Sequence, residues 1–282
     1  MTVAAEKPAR AMRIDTHAHV FTRDLPMAHA RRYTPGYDVT VDQYVACLDA
    51  TGMTHGVLVQ PSFLGVDNSY MLAALARYPE RLRGIAMVDA GVSDEELLRL
   101  QAGGVVGVRF NLVGGAQLPD LGGAWRSTLA RIAQLGWQVE IHREAHDLPQ
   151  LLDPLIDMGL NIVVDHFGCV DAGLGIDDPG FRYLLTTGAS QQVWVKLSAA
   201  YRNGAGDGGR KFSRQAWPLL REHLGLARLL WGSDWPHTQH ESTTDYADAW
   251  QQFVNLVPDE DDRRAITGES SARLFGFVQL AA

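Results

Sequence analysis

The chain has 282 residues, 46% of them apolar, with 33 acidic against 25 basic side chains and a net charge of −8. The acidic balance and the lack of any Lys/Arg run argue against a nucleic-acid or anionic-membrane partner, and no apolar stretch reaches the roughly 18 residues of a bilayer-spanning helix. Two cysteines, Cys47 and Cys169, make no disulfide framework, and the opening MTVAAEKPARA lacks a signal peptide's apolar core, so the expectation is a soluble, cytoplasmic globular protein.

Short β-rich runs alternate with segments whose apolar residues recur at helical spacing. In chain order the pattern predicts a strand over Arg13–Val20 and a helix over Val41–Ala50, then His55–Gln60 with Ser69–Tyr78, Leu82–Val88 with Asp94–Ala102, and Val105–Leu112 with Ala124–Leu135. It continues with Gln138–Arg143 and Leu148–Met158, Asn161–Phe167 and Gly180–Thr187, Val193–Ser198 and Ser213–Leu224, and Leu229–Trp235 and Thr244–Leu256. A last helix is predicted over Asp261–Leu274. Runs such as GVLVQ, NIVVDH and VWVKLS read as parallel strands buried on both faces. Gly52, Gly103, Gly136 and Gly159 stand where a left-handed residue would end a helix, and Ser93 followed by Glu96 reads as a capping box.

This alternation is the pattern of an α/β protein of the (β/α)8 TIM-barrel type, with its active site at the C-terminal ends of the strands. An open doubly wound sheet is the competitor, but the first strand ends in THAHVF rather than in a glycine-rich phosphate turn. Residues 1–11 are expected to be a flexible tail and 12–282 a single barrel domain. The run Gly204–Gly209 is expected to be a mobile loop on the active-site side.

Ionisable residues concentrate at the predicted strand ends. His17 and His19 form a period-two pair, Arg109 and Asn111 end strand four, His142 and Arg143 strand five, Asp165 and His166 strand six, and Asp234 and His237 follow strand eight. Imidazoles and a carboxylate converging on one point are the ligand types of a catalytic zinc site with a position open for water, which selects His17, His19, His142, His166 and Asp234 as candidate ligands of one divalent metal. Metal-independent catalysis by the same histidines is the alternative. Asp234 can take a proton from water and return it to a leaving oxygen. Arg109 and Arg202 can grip a carboxylate, and Tyr33, Ser62 and Asn111 can add hydrogen bonds to a ligand.

The segments IDTHAHVF, VVDHFG and LLWGSDWPH, with RRYTP, VLVQPSFLGVDN and GVVGVRFNLV, resemble the amidohydrolase superfamily, in particular its branch of 2-pyrone-4,6-dicarboxylate lactonases and related lactone hydrolases. The resemblance spans about residues 12–275. It implies a distorted (β/α)8 barrel and hydrolysis of an ester-like ring bond. By position, His17, His19, His166 and Asp234 match the family's catalytic set, and Tyr33, Ser62, Arg109 and Arg202 match substrate-contacting positions. Three departures stand out: Gly114–Gly115 and Cys169 replace arginines, and His142 replaces a tyrosine. Arg143 is a candidate substitute for a missing arginine, and His142 adds a ligand to a site that the pyrone lactonases use without metal.

The expected activity is therefore opening of a small acidic lactone by Asp234-activated water, with the ring carbonyl polarised by His17, His19 and His166 directly or through a metal. Arg109, supported by Arg202, is expected to bind a substrate carboxylate, with Arg143 and His237 also in the substrate site; hydrogen bonding to substrate is the competing role for His142. A metal-dependent decarboxylase and a non-catalytic ligand-binding barrel are the alternatives, and a homo-oligomer is left open.

Overall fold

The computed structural model describes residues 11–277. Eight parallel strands pair in sequence order: β1 (Ile14–Ala18), β2 (His55–Val59), β3 (Leu82–Ala86), β4 (Val105–Asn111), β5 (Gln138–His142), β6 (Asn161–Val164), β7 (Val193–Leu197) and β8 (Leu229–Trp231). The helices that return the chain between and after them are α1 (Val41–Thr51), α2 (Ser69–Arg77), α3 (Asp94–Ala102), α4 (Arg126–Gln134), α5 (Leu148–Asp157), α6 (Pro179–Thr186), α7 (Gly208–Leu224) and α8 (Tyr246–Leu256). Two short helices, α9 (Glu260–Arg264) and α10 (Ser271–Phe275), follow and are joined by π-helical residues Ala265–Ser270. β8 is stitched to β1 beyond its own end: the His19 N–H donates to the Trp235 carbonyl at 2.8 Å and the Asp234 N–H to the His17 carbonyl at 2.9 Å. The result is a nearly closed (β/α)8 barrel.

Strand alternation divides the core in two. Outward residues such as Leu58, Val108, Val139, Ile141, Val195 and Leu197 pack under the helices. Inward residues Ile14, Val57, Val59, Ile85, Val163, Trp194 and Leu230 fill the lower barrel, closed from below by Phe275 and Phe277. Each such side chain contributes roughly 1.5–3 kcal/mol by leaving water. Above this apolar plug the inward positions become ionisable: Arg109, Glu140, His17 and Lys196 are all buried. The apolar layer therefore forms the floor on which the polar site is built.

Four local expectations need correction. The ladder of β8 stops at Trp231 rather than Trp235, because the following Gly-Ser turn leads into Asp234 at φ +61 and swings its side chain toward the mouth. Ser93 caps α3 by accepting the Glu96 N–H at 3.1 Å, but the Glu96 carboxylate pairs with Arg99, so the reciprocal box forms at Thr40 and Gln43 instead. Gly103 has φ −80, and Gly104 carries the left-handed turn. Finally, α7 starts at Gly208, inside the glycine run, rather than at Ser213. Gly209, in its first turn, has to be glycine because a Cβ there would overlap the Ala200 carbonyl oxygen.

Candidate active site

β1 does not keep a plain period of two. Its register with β2 shifts between Asp15 and Ala18, so Asp15 and His17 face opposite sides although they are two residues apart. Asp15 turns outward to Ser233 and Tyr246, accepting their hydroxyls at 2.7 and 3.0 Å. Burial pushes its carboxyl pKa up against those hydrogen bonds. His17 turns inward, with Nδ1 2.9 Å from Lys196 Nζ, 3.3 Å from an Asp165 oxygen and 3.5 Å from a Glu140 oxygen. Its Nε2 lies 3.3 Å from His19 Nε2, and His19 Nδ1 is 2.7 Å from the Val59 carbonyl.

These partners assign protons. A carbonyl only accepts, so His19 carries its hydrogen on Nδ1 and presents a lone pair at Nε2. At His17 Nδ1 an ammonium that only donates, Lys196, competes with two carboxylates that only accept, Asp165 and Glu140, so this ring can carry its hydrogen on either nitrogen. His142 is set by its partner: Arg109 Nη2 donates to its Nδ1 at 3.1 Å, which leaves an N–H at Nε2.

Asp234 has two different oxygens. Oδ2 accepts from Tyr201 Oη at 2.6 Å and from Arg202 Nε and Nη2 at 2.9 and 2.8 Å. Oδ1 is buried without a hydrogen-bond partner, 3.5 Å from His17 Nε2 and 3.7 Å from both His19 Nε2 and His166 Nε2. Burial works against the Asp234 charge, but Arg202 above all, with His166 and His19, holds its carboxyl well below the usual carboxylate range. Burial pushes His17, His142 and His166 well below the usual imidazole range, so all three are neutral. His166 Nδ1 is 2.8 Å from Ser198 Oγ, which fixes the ring with Nε2 toward Asp234.

The donors of His17, His19 and Asp234 form a triangle with sides of 3.3, 3.5 and 3.7 Å. Ligands about 2.0–2.1 Å from a tetrahedral ion stand roughly 3.3 Å apart, so the triangle fits a divalent metal. The unpartnered Oδ1 supports that fit, while His166, whose Nε2 is 3.7 Å from the same oxygen, forms a second metal-capable group with His17 and Asp165. His142 belongs to neither metal-capable group among the described residues. Its Nδ1 is turned to a guanidinium and its Nε2 bears hydrogen, so as it stands the added histidine on β5 is placed to donate a hydrogen bond into the pocket.

Below His17 lies a buried ionic cluster that sequence reading missed. Lys196 donates to Glu140 and lies 3.3 Å from Asp165, while Arg109 donates to Asp165 at 2.9 Å and lies 3.5 Å from Glu140. Burial and the neighbouring Asp165 push Glu140 up to about 7, against Lys196 and Arg109. Asp165 stays well below the carboxylate range: burial opposes its charge, but Lys196, His17 and Arg109 outweigh it. The signal was present as charges at inward positions of otherwise apolar strands, in QVEIH and VWVKL.

Most expected site residues meet in one pocket at the barrel mouth. Tyr33, Ser62, Arg109, Asn111, His142, His166, Arg202 and Asp234 line it together with His19, and His17 lies beneath. Two expectations do not hold. Arg143 is committed to the β4 loop, donating to Asp147 at 2.6 Å and to the carbonyls of Leu112 and Ala116, so it does not replace a substrate arginine. His237 stands behind Tyr201, 3.4 Å from its hydroxyl and outside the pocket lining. Arg109 and Arg202, expected to hold a substrate anion, are already paired with buried carboxylates. Arg32 and Tyr201 were overlooked, and the doubled arginine of RRYTP was the signal for the first.

The amidohydrolase family model matches residues 14–277. The chain is 37% identical over 236 residues to a 2-pyrone-4,6-dicarboxylate hydrolase of Comamonas testosteroni, covering 79% of this chain and 76% of the relative. It is 31% identical to a 4-sulfomuconolactone hydrolase of Hydrogenophaga intermedia, covering 94% and 88%. A solved structure from Pseudomonas putida, a candidate 2-pyrone-4,6-dicarboxylic acid hydrolase, superposes with a TM-score of 0.90 at 46% identity, covering 96% of this chain and all of that one.

Proposed function

The chain belongs to the amidohydrolase family, and from that premise we propose that it opens a small lactone bearing an acidic group, by addition of water to the ring carbonyl. The observation that carries this reading is Asp234 Oδ1: an ionised, buried acceptor with no protein partner, aimed at three imidazole Nε2 atoms beside the mouth pocket.

Asp234 receives the proton as the water oxygen bonds to the carbonyl carbon. The transfer is to an acceptor of low basicity, and it becomes possible because water turns acidic as the new C–O bond forms. The carbonyl oxygen, which gains charge, is met by the His142 Nε2–H, with His166 beside it; a neutral imidazole donates without giving its proton away. When the tetrahedral intermediate collapses, the ring C–O bond breaks and Asp234 returns the proton to the leaving oxygen.

His17, His19 and Asp234 would hold a divalent metal, for which we propose zinc. Such an ion supplies a more acidic bound water and an electrophile for the carbonyl. His17 serves it only with hydrogen on Nδ1, which Asp165 and Glu140 stand ready to accept in place of the Lys196 contact.

A direct test follows acid release from 2-pyrone-4,6-dicarboxylate, a sulfonated muconolactone and a neutral six-membered lactone, with carbon dioxide measured in parallel. One equivalent of acid per ring and no carbon dioxide is expected. Release of carbon dioxide would establish the decarboxylase alternative, and no turnover of any lactone would refute the reading.

A further inference from the structure

Three guanidinium groups reach the mouth pocket, from Arg32, Arg109 and Arg202. Two of them are neutralised from within the protein. Arg109 is 2.9 Å from Asp165 and 3.5 Å from Glu140, and Arg202 grips Asp234 through two nitrogens. Arg32 differs. Among the described residues no carboxylate lies within ion-pair distance of it, and its Nη2 donates only to the neutral Asn111 Oδ1 at 3.1 Å. Glu144, the nearby carboxylate whose field reaches it, is occupied elsewhere: one oxygen accepts the Gly114 N–H at 2.8 Å and the other pairs with Arg143 at 3.3 Å.

The turn after β4 is shaped around this side chain. Gly114 has φ +80, and a Cβ on it would stand 3.2 Å from Arg32 Cδ and Nη1. The absence of a side chain there lets the arginine lie across the turn and point over the pocket, held by Asn111. Burial, then Arg109 and Arg202, lower its pKa, so the cation sits in a positive field that a bound anion would relieve.

From this arrangement we infer that Arg32 is the specificity-determining residue that anchors the acidic substituent of the substrate, at the rim formed by the loop after β1 and the turn after β4. The inference rests on the lactone reading of the same site. It assigns the reacting carbonyl to the His142, His166 and Asp234 side of the pocket and the oxyanion group, carboxylate or sulfonate, to the opposite rim. Arg109 and Arg202 line the same pocket while paired with Asp165 and Asp234.

Arg32 is exposed at the rim, so Arg32→Met should fold with an unchanged melting temperature. Two measurements test the role. In the first, kcat and KM are compared for 2-pyrone-4,6-dicarboxylate and its neutral dimethyl ester. Arg32→Met should raise KM for the diacid on the order of tenfold, leave the ester within about twofold, and be partly rescued by Arg32→Lys, with a matching arm on a sulfonated lactone reading the other oxyanion. In the second, calorimetry follows binding of citrate, an inert polycarboxylate of similar size, and expects affinity for the native chain to fall at least tenfold in Arg32→Met. Equal losses on diacid and ester, or citrate that binds both proteins alike or neither, would overturn the inference. Citrate binding that depends on Arg32 while no lactone turns over would support the anion anchor and refute the hydrolase reading instead.

Discussion

Replacing Asp234 by Asn tests the proton-transfer reading at its centre. The amide oxygen can take the place of Oδ2 and keep the hydrogen bonds from Tyr201 and Arg202 at 2.6–2.9 Å. The amide nitrogen then replaces Oδ1 toward the three Nε2 atoms, and a proton acceptor is exchanged for a donor. General-base assistance is worth about 10²–10⁴ in rate, so kcat should fall by that factor, about 2.7–5.4 kcal/mol of barrier. KM should move little, because the anionic group is bound at Arg32. Loss of the Arg202 counter-ion should also lower stability. Breaking a fully buried pair costs about 3–5 kcal/mol; the Arg202 side chain is 21% exposed, so a smaller loss of about 1–3 kcal/mol is expected. Tyr201→Phe separates the two effects. Removing one donor from Oδ2 lets the Asp234 pKa rise toward its usual value, so the acid limb of kcat/KM should move to higher pH while most of kcat survives. The assay is acid release at saturating lactone, with urea unfolding of each variant. A kcat for Asp234→Asn within tenfold of the native value would refute Asp234 as proton acceptor.

Elemental analysis of protein purified without chelator should find about one divalent ion per chain, lost in His17→Asn and His19→Asn and retained in His142→Asn; loss in the His142 variant would return that residue to the ligand set. Lys196→Met should destabilise the fold by about 1–3 kcal/mol, less than the loss of an unshared buried partner because Arg109 remains beside Glu140 and Asp165; denaturant unfolding measures it, and a change under 1 kcal/mol would show that the cluster carries little. Buried imidazoles that stay neutral in the fold but take up a proton when unfolded make stability rise with pH over the window below about 6.5. His142→Gln should therefore flatten the stability-versus-pH curve between pH 5 and 6 by about 1.4 kcal/mol per pH unit, whereas an unchanged slope would mean that His142 titrates in the native state.

The barrel was legible in the sequence because strand and helix periods are local properties: GVLVQ and VWVKLS are strands wherever they pack, and the stops between them are set by residues a few positions away. The residues at the strand ends were legible for the same reason, since a parallel barrel sends every strand's C-terminal end to one mouth. That logic placed His17, His19, His142, His166 and Asp234 together before any coordinates.

What the sequence could not determine was which partner each of those groups faces. Arg109 and Arg202 read as free cations because their carboxylates, Asp165 and Asp234, lie 56 and 32 residues away in the chain. His142 read as a metal ligand because its proton is placed by a guanidinium from the neighbouring strand, and a tautomer leaves no trace in composition or spacing. Asp15 and His17 share a sequence parity, yet a register shift in β1 turns one to the helices and the other into the barrel. Arg32 became the uncompensated cation only through the folding of the loop after β1 over Gly114. Periodicity is written residue by residue, but charge pairing, proton position and strand register are settled between segments distant in sequence. Closing the barrel, which removes water and forces each buried charge to find a partner, decided them.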